Sequence, residues 1–360
     1  MLTWILLGLS AFCLCAALIP LWRHPAWWVR GFDYPRAQFF FLETLLLPLL
    51  WIIDLPSWVV YLGSGMLLPA VILDGYRVLP YSPLWPYMSQ PETDPQAPSL
   101  SIVVANVLMS NRDTDTFLGY VRRWAPDIVV TLEPNDWWAE QLKPLHDIYP
   151  HRILHPLSNR YGILLYSRLP LSEKRVQYLI NPEIPSIDTV VTLTDERRIR
   201  LICLHPEPPS PTEADESTER DGELMMVGRH VSKHDQPTIV LGDLNDVAWS
   251  HSTRLFLRLS KLLDPRRGRG IFSTFPAAQP WLRWPLDHVF HSRHFRLISL
   301  DRLPRWGSDH LSIYVSLSYT GNDDPDAGRG IEQPVDDDIS EAHQTIAAAK
   351  PMDRLRPPPI

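Results

Sequence analysis

Three apolar runs crowd the first 80 residues, and they constrain the architecture more than any other feature. Residues 2–22 are almost wholly apolar, and about 20 such residues cross the hydrocarbon core of a bilayer as one helix. No basic residue precedes that run and no clear small-residue cleavage site follows it, which separates it from a secretory signal. Two further runs, near 37–53 and 58–74, are divided by Asp54 and Pro56 and read as a tight helical hairpin. The sequence therefore predicts a transmembrane region over residues 1–77 with about three helices. Glu43 interrupts the second run; such an acid is either functional or packed between helices, and packing is the commoner case. Arg23, Arg30 and Arg36 fall between the first two runs, while the hairpin turn carries no Lys or Arg. The positive-inside rule places that arginine loop in the cytoplasm, and three crossings leave the rest of the chain there too. The expectation is an integral protein of the cell's inner membrane, with the lipid bilayer as a partner and no obligate protein partner evident.

The net charge of −7 on 360 residues is unevenly spread. Residues 101–320 carry 26 Lys and Arg against 26 Asp and Glu, whereas residues 321–360 carry 4 against 9. A neutral central region excludes a broad basic platform for nucleic acid. Three cysteines, two of them in the first apolar run, exclude a disulfide scaffold and a cysteine zinc cluster. Repeated proline over residues 78–99 predicts an extended linker without a core. Residues 321–360, with their GNDDPDAG and RPPPI segments, predict a disordered acidic tail in which 340–350 forms at most a transient helix.

Between linker and tail, residues 100–320 suit one domain. Strand-like runs occur at 101–107, 127–133, 151–155, 161–167, 175–180, 187–194, 198–205, 238–243, 286–292, 295–300 and 310–317. Helical spacing appears near 115–124, 136–145, 212–234 and 251–262. Many strands with few helices predict two packed sheets flanked by helices.

Polar residues recur where these strands end: Asn106, Glu133, His205, Asp243 with Asn245, Asp287, and Asp309 with His310. Strand ends on one rim gather into sites, because the scaffold fixes them while their tips stay accessible. Asn, Asp and Glu are hard oxygen donors of the kind Mg²⁺ takes. Taken singly, each residue also suits turn or cap chemistry.

In order, the segments ANVLMSN, VVTLEPND, YGILLYSR, LICLHPEPP, VLGDLND, PLDHVF and GSDHLSI resemble the endonuclease/exonuclease/phosphatase superfamily, here as a membrane-anchored, bacterial-type member. The resemblance implies an α/β fold, a four-layer α/β/β/α sandwich of two mixed sheets, and divalent-metal-dependent phosphoester hydrolysis. It implies Asn106, Glu133 and Asp309 as metal-site residues, with Mg²⁺ or Mn²⁺ as the cofactor. It implies His205, Asp243, Asn245, Asp287 and His310 as the catalytic set, with Asp287 orienting His310. Phosphodiester and phosphomonoester substrates stay open, as do nucleic acid, phospholipid and inositol phosphate. The competing expectation is a catalytically silent, membrane-tethered binding or scaffold module. The run PRRGRG at 265–270 either reaches outlying phosphates or forms a solvated loop. His151, His155, His288, His291 and His294 are expected to be surface or satisfied histidines.

Overall fold

Four helices come first: α1 (Leu2–Leu18), α2 (Trp27–Arg30), α3 (Arg36–Ile52) and α4 (Ser57–Val78). Then follow β1 (Ser99–Asn106), α5 (Thr114–Trp124), β2 (Ile128–Leu132), α6 (Asp136–Gln141), β3 (His151–His155), β4 (Ile163–Ser167), β5 (Leu171–Gln177), β6 (Ser186–Thr192) and β7 (Arg198–Leu204). The chain continues with α7 (Thr218–Ser232), β8 (Thr238–Asp243), α8 (His251–Ser260), β9 (Asp287–His291), β10 (Phe295–Arg302), β11 (Ile313–Tyr319) and α9 (Asp336–Ala348). The structure is a computed structural model that describes residues 1–94, 96–321 and 332–350.

The strands form two mixed sheets, one in the order β10-β11-β1-β2-β4-β3 and one in the order β5-β6-β7-β8-β9. Each sheet contains one parallel pair, β1 with β2 and β7 with β8, and each pair is joined by a crossover helix, α5 or α7. Successive strand side chains face opposite ways, so an apolar residue at every position buries both faces of a sheet. Leu100, Ile102 and Val104 of β1 meet Ile199, Leu201 and Cys203 of β7 in the core between the sheets. Val103 and Ala105 face outward and pack with Phe117 and Trp138 under α5 and α6. Ile202 and Val240 do the same under α7 and α8. The layers are thus helix, sheet, sheet, helix.

Of the three expected membrane helices, two are long and apolar enough to cross a bilayer, Leu2–Trp22 and Ser57–Tyr81. The third, α3, has 17 residues and carries buried Arg36 and Glu43. Arg36 pairs with Asp33 at 2.9 Å and with Asp74 of α4. Glu43 is packed among the helices, and its carboxylate has no hydrogen-bond partner among the described residues.

Two expectations are corrected. The proline-rich segment is not a free linker: Tyr81, Met88 and Ser89 are buried, Ser89 Oγ lies 2.7 Å from His291 Nε2, and residues around Pro91 bridge to β10. Proline stops helix and strand there, but the aromatic and small residues between still find a surface to cover. The tail is not disordered throughout, because α9 docks on α7 and α8. Its acids have cationic partners far away in sequence: Asp338 pairs with Arg258 at 2.7 Å and Glu341 with Arg23 at 3.2 Å. The GNDDPDAG and RPPPI segments lie, after Gly321, outside the described residues.

Candidate active site

The stripe that fills the space between the sheets ends in polar side chains at one rim. In β1 the inward series Leu100, Ile102, Val104 continues to Asn106. In β7 it runs Leu201, Cys203 and on to His205, and in β8 Ile239, Leu241 and on to Asp243. Asp287 opens β9 on the same side as Val289 and stands directly opposite Asp243 in the ladder. Glu133 breaks the parity of β2, and its φ of 64° turns the chain there. Non-glycine residues rarely hold that conformation without surrounding support, and they concentrate at functional sites. Asn245 is a second such residue, with φ 51°. Gly242 precedes it with φ 142°, where a Cβ would lie 1.9 Å from the Leu204 carbonyl oxygen, so only glycine lets β8 approach β7 at the rim.

The side chains meet as two linked groups. Asn106 Nδ2 donates to Glu133 Oε1 at 2.8 Å and to Asp243 Oδ2 at 3.2 Å. The Met109 amide also donates to Glu133, at 3.4 Å. Ser308 Oγ donates to the Asn106 carbonyl at 2.7 Å, which ties the last loop to β1. In the second group, His310 Nδ1 lies 2.8 Å from Asp287 Oδ2 and His310 Nε2 lies 3.5 Å from Asp243 Oδ2. Two carboxylates directly across a ladder repel, and a cationic ring between them offsets that repulsion. Burial works against a charged His310, but the Asp287 and Asp243 carboxylates outweigh it and hold the imidazole up at about 10. Phe275 covers the ring at 4.7 Å between centroids. His205 Nε2 lies 3.8 Å from Asp243, and the Tyr161 ring stands 5.3 Å from its own.

Asp243 is therefore shared between an amide–carboxylate group and an imidazole–carboxylate group. Asp243, Asp287 and His310 offer three ligand atoms within 4.8 Å of one another, a cluster able to hold a metal ion. Asp309 Oδ1 is shielded from solvent and has no hydrogen-bond partner among the described residues. Asn245 donates its side chain to the Pro206 carbonyl at 2.9 Å and its amide to Asp243 Oδ1 at 3.0 Å.

All eight residues singled out in the sequence lie on or beside this rim, and the arginine run supports it from behind, Arg266 Nη1 donating to the Asp287 carbonyl at 3.3 Å. Arg266 is buried in a bidentate pair with Asp264 and contacts His288 at 2.7 Å; Arg269 donates to the Ser89 carbonyl. The loop neither reaches toward a phosphate nor lies free in water, because its guanidiniums are consumed by carboxylate and carbonyl partners. His288 and His291 are satisfied buried histidines, pushed down to about 3 and about 4 by burial. Tyr161, whose YGILLYSR segment matches the family only loosely, also stands beside the rim, and Tyr34 and Arg220, which carry no local signal, reach the Asn245 carbonyl.

Residues 103–310, more than half the chain, match the Endonuclease/Exonuclease/phosphatase family. The chain belongs to that family. Among solved structures, an endonuclease/exonuclease/phosphatase from Beutenbergia cavernae is similar at 17% identity, TM-score 0.50, over 62% of this chain and 72% of its own. The human Nocturnin catalytic domain, solved with a bound sulfate anion, is similar at 17% identity, TM-score 0.51, over 66% of this chain and 98% of its own. At that identity the likeness shows the fold. No match is found among curated proteins. Members of the family are phosphoesterases, nucleases and phosphatases among them, and are generally divalent-metal dependent.

Proposed function

We propose that this family member is a membrane-anchored, divalent-metal-dependent phosphoesterase. The observation that carries the reading is the position of His310, buried between Asp287 and Asp243, with Asp243 also bound to Asn106. A phosphoester repels an attacking hydroxide and has a poor leaving group, so its hydrolysis needs charge neutralisation, an oriented water and a place for protons.

Glu133 and Asp309 fit a hard cation with carboxylate oxygens, Asp309 Oδ1 being buried without a partner among the described residues. Asn106 turns its Nδ2 to Glu133 and Asp243 and its Oδ1 to the Leu108 amide, and would ligate through oxygen only after its amide flips. A bound Mg²⁺ or Mn²⁺ there supplies charge to the phosphoryl and leaving oxygens. The chain's own residues do the remainder. Asp287 accepts from His310 Nδ1–H, which fixes the tautomer and aims Nε2 toward Asp243. Asp243, 3.5 Å from His310 Nε2, is placed to accept a water proton, with His310 beside it as the partner in proton transfer. Asn245 and His205 flank Asp243 and orient water and a non-bridging phosphoryl oxygen.

Anchoring rests on the two apolar helices. The segment after α1, the start of α3 and the segment after α4 all adjoin the catalytic sandwich, through Trp27 to Asp215, Gln38 to Trp281 and Tyr81 to Ala248, as expected if the helices cross one bilayer beside it. With α3 counted as a third crossing, the arginine loop supports a cytoplasmic domain at the inner membrane; with α1 and α4 alone, loop and domain would lie on opposite sides. The test is full-length protein in detergent with Mg²⁺ or Mn²⁺, against single- and double-stranded DNA, RNA, inositol phosphates and phospholipids. Hydrolysis of at least one class that EDTA abolishes is expected. Inactivity on every class would favour the silent tethered module instead.

A further inference from the structure

The catalytic loop 243–249 is held from outside its own domain. Tyr34, in the loop between α1 and α3, donates its hydroxyl to the Asn245 carbonyl at 2.8 Å. Arg220 Nη1 donates to the same carbonyl at 2.7 Å. Tyr81, just after α4, donates to the Ala248 carbonyl at 2.7 Å, and Trp249 Nε1 donates back to the Asp33 carbonyl at 2.7 Å. Arg30 pairs with Asp221 at 3.2 Å, and Asp221 also pairs with Arg220 at 2.8 Å, so Arg220 is itself joined to the N-terminal loop. Arg220 also lies 3.4 Å from Asp246 of the catalytic loop. These contacts converge around Asn245, one of the two rim residues with left-handed backbone. Such backbone persists only where its surroundings over-determine it.

We infer that the N-terminal helical region is part of the catalytic apparatus: its loop clamps residues 243–249 in their working conformation, with Tyr34, Tyr81 and Arg220 as positioning residues. The effect on turnover rests on the phosphoesterase reading, whereas the clamp itself does not. Small displacements of a catalytic group lower the rate while leaving substrate binding largely intact. A disturbance of the helices is thereby transmitted to Asp243 and Asn245.

The test uses full-length Tyr34→Phe, Tyr81→Phe and the double variant in detergent. Each keeps its ring, and the Tyr34 ring keeps its edge contact with Trp284 at 5.5 Å. Two readouts are taken: hydrogen exchange of the 243–249 amides, and kcat and KM on whichever phosphoester the wild type hydrolyses. Exchange should rise, and kcat fall, by about fivefold in each single variant, the size of one hydrogen bond's net worth. The double variant should lose more, with KM and melting temperature little changed. Tyr61→Phe, at the far end of α4, should change neither readout. Unchanged exchange in the double variant overturns the clamp, and raised exchange with full kcat overturns the positioning role. A wild type inactive on every substrate, with exchange still raised by the variants, supports the clamp and sinks the phosphoesterase reading.

Discussion

The two parallel strand pairs have the same connectivity and are supported in different ways. In the first half, β1–α5–β2, the rim residues Asn106 and Glu133 are backed by an apolar layer in which Phe117 stacks on Trp306 at 5.0 Å beside Trp138. In the second half, β7–α7–β8, the rim residues His205 and Asp243 stand over buried charge: Arg220, Asp221, Glu223 and Asp246. The first half presents oxygen donors and the second sets imidazole against carboxylate. The difference teaches that one scaffold, used twice, sets its rim residues over an apolar layer on one side and over a buried polar network on the other; the proposed cation site and proton handling are assigned to these two sides. Asp243 touches both.

That comparison breaks most visibly at Asp243. Asp243→Asn keeps the shape but removes the charge that Asn106, His205 and His310 address. Activity should fall by about 10⁴-fold or more, at or beyond the top of the ordinary range for one proton-transfer group, because both halves lose their common member. A loss below tenfold, measured as kcat/KM, would separate the halves. Next in size is the pair that joins the sheets, Asp287 at the start of β9 in the second and His310 just before β11 in the first. His310→Ala and Asp287→Asn should each cost about 10²-fold, and the double variant far less than their product, since residues acting as a unit are non-additive. Multiplicative losses with unchanged melting temperatures would show that Asp287 does not act through His310.

Much of this was legible in the sequence. Short, near-continuous apolar runs mark most of the strands, because burial of both sheet faces leaves a strong local signal. The same inward stripe ends in Asn106, His205, Asp243 and Asp287, so motif order and geometry coincide. What escaped notice depends on partners distant in the chain. Tyr34 meets Asn245 across 211 residues, and nothing around Tyr34 marks it as a partner of that motif. The three aspartates of α9 read as solvated until Arg258, 80 residues away, is placed beside Asp338. Arg266 looked available for phosphate because its partner Asp264 is two residues off and reads as turn chemistry.

The smallest effect on catalysis should come from the buried charge itself. Burial raises Glu223 in α7 to about 8 from 4.5, so the native state holds a proton that the unfolded chain releases. The contribution of Glu223 to stability is then fully present below about pH 4.5, is lost as pH rises toward 8 and is absent above it, by a few kcal/mol on the order of the pKa difference. Glu223→Gln should flatten that slope in denaturant titrations at pH 5 and pH 9 and leave kcat near wild type. A slope unchanged by the substitution would remove Glu223 as its source.

The division of labour between the halves is tested most directly by metal binding. Mn²⁺ is titrated by calorimetry into full-length wild type, Glu133→Gln and His310→Ala, with turnover measured on the same samples. Glu133→Gln should weaken Mn²⁺ by about tenfold or more, as loss of a charged oxygen ligand demands, while His310→Ala should bind Mn²⁺ as wild type does and lose turnover. The reverse pattern, with Mn²⁺ binding lost on removal of His310 and retained without the Glu133 charge, would place the cation among Asp243, Asp287 and His310 and contradict the account.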